Sequence, residues 1–456
     1  MDHTHLEGKS ALVAQCYNQT MKIKPGRLII WGMAGLILLA GLGFSIPAIR
    51  EPVLYRLDNL RIRLRYWLKP PQEALFVPET TVDEAVQATL LALTPVPTLT
   101  PSPTATMILQ EDTPIPTPTS TPLPASVKLD GMKFFSQHNL WNYCAPSNLA
   151  MALSYWGWQG KQTEIGPVVK PFEKDKNVMP YELADYVMEH TNLLAIVRSG
   201  GTPELLKTLI ASGFPVLIEK GVYMRDFTGV ISWMGHYQVL IGYDDAGSEF
   251  LGMDSFYGTE EKPALPLPYE NLPTQWRPFN YIFLVVYPPE REPELLAAMG
   301  EYVDSTRAEQ IAADRASTEI YSVTGQAQFF AWFNRGTSLM RLQDYYGAAQ
   351  AYDAAFEVYA SLDKNDRPWR MMWYQTGPYY SYYFTGRYWD VINLATNTVD
   401  YSDQPYLEET YYWRARAKGA LGDMGGASAD IQTCVEYHPG FTPCLQLASD
   451  LGLPQP

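Results

Sequence analysis

Apolar positions along the chain fall into distinct regimes. Residues 28–49 form a run without a charged side chain, long enough at about 1.5 Å per residue to cross a hydrocarbon core as a helix. Val53, Leu54, Leu57, Leu60, Leu64 and Trp67 then recur at near-helical spacing among arginines, a pattern suited to lying along an anionic membrane surface. Between 128 and 290 helical and strand-like stretches are mixed. Leu149, Ala150 and Leu153 repeat at helical spacing after Pro146, which suits a first helical position, and Gly157 offers a left-handed stop. Thr202-Pro203-Glu204 starts another helix that Gly213 ends, and apolar runs at 214–218, 237–243, 250–253 and 281–287 read as strands. Helices first and an antiparallel sheet after predict an α+β domain.

Beyond Arg291 the pattern is helical. Trp332, Gly336, Leu339, Ala348, Tyr352 and Ala355 resemble a tetratricopeptide unit, in which small residues let paired helices approach. Gly386, Tyr388, Val391 and Ala395 form a weaker second copy, and Leu421-Gly422-Asp423 with Ala427, Ile431 and Pro439 a third. The dense aromatics between Trp369 and Trp389 are expected mainly in the core, with a peptide-binding concave face as the functional alternative.

Residues 94–124 hold nine prolines, nine threonines and no glycine, so they favour extended conformations and predict a disordered stalk of up to ~90 Å. The expected organisation is a short N-terminal segment (1–27), a transmembrane helix (28–49), a basic amphipathic juxtamembrane segment (50–93), the stalk (94–124), the α+β domain (128–290) and an all-α repeat domain (291–456). Basic residues after the apolar run (Arg50, Arg56, Arg61, Arg63, Arg65, Lys69) outnumber those before it (Lys9, Lys22, Lys24, Arg27), which taken literally keeps the C-terminal part inside. The Thr/Pro stalk and an interfacial role for those arginines favour the outside.

A net charge of −15 argues against nucleic acid as a partner. Cys16, Cys144, Cys434 and Cys444 are too scattered for a disulfide scaffold or a zinc cluster, and no metal or cofactor is expected. A turn at His438-Pro439-Gly440 brings Cys434 and Cys444 near each other, with a disulfide left open.

The candidate chemistry centres on Cys144. At a helix N-terminus, unpaired amides and the dipole favour a thiolate. Gln137, seven residues upstream, offers an amide that together with a backbone N–H can hold an oxyanion. Within this domain the base must be His138, His190 or His236. His138 adjoins the oxyanion donor and His190 closes a helical run, whereas His236 opens the strand-like run to Tyr243. Asp254 follows a second short strand and can orient the imidazole. The alternative reading is a buried structural cysteine.

The blocks Ser136-Gln137 to Cys144-Ala145-Pro146, Tyr155-Trp156-Gly157, Gly213 to Ile218, Gly235 to Asp244 and Met253-Asp254 resemble family thirty-nine of the cysteine peptidases, papain-like enzymes best known for cleaving bacteriocin leaders. The resemblance implies a papain-like fold over 128–290 with Cys144 as nucleophile, His236 as base, Asp254 as orienter and Gln137 as oxyanion donor. Ala145 stands where the family usually has glycine, and Ser255 where it usually has proline, with Asp244 as the fallback orienter. No ATP-binding motif accompanies the domain. The expected function is a membrane-anchored cysteine peptidase acting on a peptide or protein substrate, with repeats that recognise a protein partner. The alternatives are an inactive adaptor and an acyltransferase using the same thioester.

Overall fold

The computed structural model describes residues 47–78, 122–140, 142–172, 175–226, 229–403 and 405–456. The expected membrane span, save its last three residues, and the Thr/Pro stretch as far as Thr121 lie outside the described residues. Among the described residues no helix is long and apolar enough to cross a membrane. The chain divides into two compact units, residues 1–65 and 66–456.

In the first unit, helix α1 (Pro47–Leu68) exposes Val53, Leu54, Leu57, Leu60 and Leu64, as their spacing predicts, and buries Ile62. The second unit begins with the end of that helix and a short extended stretch that docks onto C-terminal helices. Phe76 is buried against the rings of Phe356 and Tyr382. Arg367 donates to the Gln72 carbonyl (3.0 Å) and Asn397 to that of Leu75 (2.7 Å). Residues 66–76 are thus part of the folded unit and do not continue the juxtamembrane segment, because Phe76 finds an aromatic pocket that periodicity does not announce.

After β1 (Ser126–Lys128) come helices α2 (Cys144–Tyr155), α3 (Gln162–Val169) and α4 (Pro180–His190), then β2 (Leu194–Arg198) and α5 (Pro203–Ala211). Thr202 caps α5, its hydroxyl accepting from the Leu205 amide at 3.1 Å. Strands β3 (Val216–Arg225), β4 (Ile231–Asp244), β5 (Glu249–Met253) and β6 (Ala264–Pro268) follow, then short helix α6 (Leu272–Trp276) and β7 (Phe283–Tyr287). All pairings are antiparallel in the order β2-β7-β3-β4-β5-β6, with β1 beside the far end of β4. Leu217, Tyr237, Val239 and Ile241 face α2 and α4, while Ile218 and Leu240 face α5.

The sequence underestimates β4, which begins at Ile231. His236 therefore sits within a long strand opposite Lys220 and not at its start. Strand β5 pairs with β4 only from Val239 onward, so beside His236 and Tyr237 one edge of β4 is left open. That gap admits the first turn of α2.

From Glu292 the chain is helical: α7 (Glu292–Met299), α8 (Ser305–Glu319), α9 (Gln326–Arg341), α10 (Tyr345–Ser361), α11 (Met371–Tyr374), α12 (Gly377–Phe384), α13 (Tyr388–Asp400), α14 (Glu408–Ala420), α15 (Met424–Tyr437) and α16 (Thr442–Asp450). Where α9 meets α10, a Cβ on Gly336 would stand 2.7 Å from the Tyr352 ring, so only glycine permits this approach. Tyr379 and Tyr382 are fully buried, whereas Trp389 is exposed. A disulfide joins Cys434 on α15 to Cys444 on α16.

The sheet and the helices share a core. Trp233, Phe279 and Ile282 cluster with Phe329, Phe330, Phe333 and Tyr352. Beside it, buried Arg370 pairs with Asp226 at 3.1 Å and donates to the Trp233 carbonyl at 3.0 Å. Arg370→Ala takes the guanidinium from a buried carboxylate and is expected to cost about 3–5 kcal/mol. A urea midpoint unchanged from wild type would show that this contact does not hold the halves together.

Candidate active site

Helix α2 begins at Cys144 itself, two residues earlier than Pro146 suggests. Tyr143 is the N-cap, and its carbonyl accepts the first helical bond from the Ser147 amide at 2.9 Å. Pro146 at the third position still costs nothing, since the first four amides of a helix lack intrahelical partners. Cys144 is partly exposed and is the free cysteine among the described residues.

The open edge of β4 receives this turn. The Asn148 side-chain amide donates to the carbonyls of Cys144 (2.8 Å) and Tyr237 (3.0 Å) and to Ser255 Oγ (2.9 Å). The Cys144 side chain and the His236 ring line one small cavity. His236 Nε2 donates to Asp254 Oδ1 at 2.9 Å, which leaves Nδ1 for the sulfur. Both His236 and Asp254 are almost completely buried.

Asp254 is held from several sides. Its Oδ1 also accepts from the amides of Phe256 and Tyr257, both at 3.0 Å, and its Oδ2 faces Lys220 Nζ at 3.4 Å. Lys220 in turn donates to Gln238 Oε1 at 2.7 Å. The fallback Asp244 is not at the site; its Oδ1 accepts from the Ala246 amide in the β4–β5 turn. His138 is exposed and bonds the Phe256 carbonyl, and His190 packs on Tyr186.

Gln137 enters from the loop before α2. Its backbone amide donates to the Ser255 carbonyl (3.0 Å), and its Oε1 accepts from Ser255 Oγ at 2.6 Å. With the oxygen end taken, the Nε2 end is the one available to the cavity that Gln137 and Cys144 both line. Ser255, a departure from the family pattern, thus orients the amide.

Burial alone would raise the Cys144 pKa, but the bond to His236, its charge and the amides of Tyr237 and Ala145 outweigh it and lower the pKa. Burial likewise pushes His236 down, and Asp254 together with the cysteine overrides this, raising it to about 9. For Asp254, burial raises the pKa, yet His236 and Lys220 hold it below the usual carboxylate range. These shifts favour a thiolate–imidazolium pair.

Sequence reasoning missed Asn148, Ser255, Lys220, Glu219 and Tyr374. Asn148 was detectable as a lone amide in an apolar run. Tyr374 was not, since it reaches the cavity from the helical region about 230 residues downstream.

Residues 129–282 match the Peptidase_C39 like family. That stretch is a C39-like peptidase domain. Two solved structures are similar to the chain: a C39-like peptidase family protein of Bacillus anthracis (17% identity, 35% of this chain and 96% of that one, TM-score 0.29) and Xylellain, a cysteine protease of Xylella fastidiosa (15% identity, 36% and 87%, TM-score 0.29). No curated protein matches the chain. The helices from Glu292 onward stand outside the matched segment.

The His236 pKa of about 9 sets the upper edge of the ion-pair window. The ring holds its proton below that pH and loses it above. Iodoacetamide should therefore alkylate Cys144 readily well below the ordinary thiol pKa of about 8.5, and His236→Ala should move the alkylation profile upward. Matching profiles in the two proteins would mean that His236 does not activate the thiol.

Proposed function

We propose that the chain is a membrane-anchored cysteine peptidase that hydrolyses peptide bonds in a peptide or protein substrate. The observation that carries this reading is one cavity lined by Cys144, His236 and Gln137, with Asp254 bonded to the far side of the ring at 2.9 Å. Cys144 Sγ attacks the scissile carbonyl carbon, and the oxyanion is held by Gln137 Nε2–H and the Cys144 backbone N–H. His236 passes its proton to the leaving nitrogen as the C–N bond breaks. Water, deprotonated by His236, then releases the acyl group from the thioester. Asp254 keeps the ring in its tautomer throughout, and Lys220 and two backbone amides keep Asp254 in place.

Anchoring rests on the uncharged run 28–49 and on the exposed apolar face of α1. An extracytoplasmic position is supported by the Cys434–Cys444 disulfide, which suits an oxidising compartment. The helix pairs α9–α10, α12–α13 and α14–α15 are read as tetratricopeptide-like repeats that recognise a protein partner.

Cys144→Ala and His236→Ala should each abolish turnover. Asp254→Asn should hurt less, and Gln137→Ala should cost ~10²-fold or more in kcat with little change in KM, because its bond strengthens as the oxyanion forms. Ser255→Ala should give a weaker version of the Gln137 defect. Equal turnover by wild type and Cys144→Ala on a processed substrate would refute the peptidase reading.

Orientation has its own check. A membrane-impermeant amine reagent applied to intact cells should label lysines of the C39-like domain. Labelling that appears only after lysis would place both folded regions inside.

A further inference from the structure

His236 lines the cavity beside Cys144, and its partner Asp254 lines a second, larger cleft. Strand β7 pairs with β3 only from Val216 to Ile218, whereas β4 pairs with it as far as Arg225. From Glu219 onward one edge of β3 therefore has no strand beside it. The space there measures about 440 Å³, within the ~300–1,000 Å³ of sites that hold a small ligand. Residues of β3, β6 and α6 wall it together with Phe330 of α9, and it opens to solvent beside Tyr223 and Tyr257, each about half exposed. It has no wall residue in common with the Cys144 cavity.

Two buried donors face this cleft without a full set of acceptors. Lys220 is 5% exposed, and its ammonium has three N–H groups. One donates to Gln238 Oε1 at 2.7 Å and another faces Asp254 Oδ2 at 3.4 Å, which leaves the third unbonded. Trp233 is 2% exposed, and among the described residues its Nε1–H has no acceptor. A Cβ on Gly221 would stand 2.6 Å from that nitrogen, so glycine is what lets the indole edge lie over β3 at the cleft. Among the described residues the wall carries no charged side chain besides Lys220 and Asp254. Asp254 already accepts from His236 and from the amides of Phe256 and Tyr257. Outside the wall, protonated His236 adds a cation beyond Asp254, and Asp366 acts on the rim at Tyr223. At Lys220 burial outweighs the attraction of Asp254 and pulls the pKa down. The ammonium is thus under-compensated and gains from a further anion. Around these donors the wall is apolar, with Phe330, Leu265, Pro266 and Leu267.

We infer that this cleft is a second binding site, which takes a small carboxylic acid with a ring-sized apolar body, Lys220 and Trp233 supplying the donors and Phe330 and Pro266 the surface for the ring. An amine is the wrong occupant, because it would bring a cation to Lys220 and leave both donors unpaired. An amide of the same skeleton fits the space but lacks the charge, so selection lies in the carboxylate. Because the Lys220 ammonium also faces Asp254 Oδ2, the occupant acts on the His236–Asp254 pair without touching Cys144. The assignment does not depend on the peptidase reading.

The test titrates the full-length protein in detergent at pH 6 with 3-(4-fluorophenyl)propionate, its primary amide and 3-(4-fluorophenyl)propylamine, followed by fluorine NMR against protein-free micelles. The acid should bind saturably and about tenfold or more tighter than the amide, as a charge-assisted bond in a buried site predicts, with the amine weaker still. Lys220→Met should bring the acid down to the amide's affinity, and Trp233→Phe, which keeps a ring and removes the N–H, should weaken the acid severalfold. Carboxamidomethylation of Cys144 should leave the acid's affinity unchanged. Equal affinities for the three compounds in wild type, or no saturable binding of the acid, overturn the proposal whether or not the variants fold. Loss of acid binding after Cys144 is blocked also overturns it, since the acid would then sit in the Cys144 cavity. Failure of every peptide to be hydrolysed would sink the peptidase reading alone, and the acid-to-amide ratio would still decide this one.

Discussion

One side-chain amide sets the register between the helix that carries the sulfur and the strand that carries the imidazole. Asn148 lies one turn along α2 from Cys144, and its nitrogen reaches the Cys144 carbonyl, the Tyr237 carbonyl and Ser255 Oγ. All of this is buried, where a polar group left unpaired costs about 1–3 kcal/mol. Sliding the helix along β4 breaks those bonds, so the penalty selects one position. Through Ser255 the same amide is linked to Gln137, so the thiol, the ring and the Gln137 amide are placed by a single constraint.

The constraint works because β5 is short. It stops opposite Val239, so the edge of β4 at Tyr237 seeks another partner and finds the helix. The opposite edge is continuous, with β3 paired along it from Leu240 to Ile231. That pairing places Glu219 and Lys220 across from Tyr237 and His236. The helical region then covers the strand ends, with Arg370 and Tyr374 seated on residues 232–235. The site is therefore composite, drawing on the loop before α2, the hairpin β3–β4 and a short helix near residue 374.

Much of the site was legible in the sequence because its chemistry is local. A cysteine near a proline-containing first turn, a histidine in an apolar alternation and an aspartate after a short strand are patterns within a few residues. The strands β2 and β6 were not legible: β6 contains Pro266 and Pro268, tolerable only because it is an edge strand. Nor was the start of β4, where Gly235 and Ser232 weaken the alternation. Contacts across long separations were invisible for a different reason. Tyr374 over Gly235 and Arg370 against Asp226 depend on how two packed layers meet, and no period in either segment records the other.

The docking of residues 66–76 changes what the Thr/Pro segment does. Residues 66–78 belong to the same unit as Pro124, whose carbonyl accepts from the Tyr243 hydroxyl at 2.8 Å. The described residues on either side of that segment are thus moored to the same body. A single nick within it would leave the two fragments associated, since burial of Phe76 alone is worth about 1.5–3 kcal/mol and the bonds from Arg367 and Asn397 add to it. Separating the fragments would require unseating residues 66–76, so what joins them is an aromatic socket between α10 and α12.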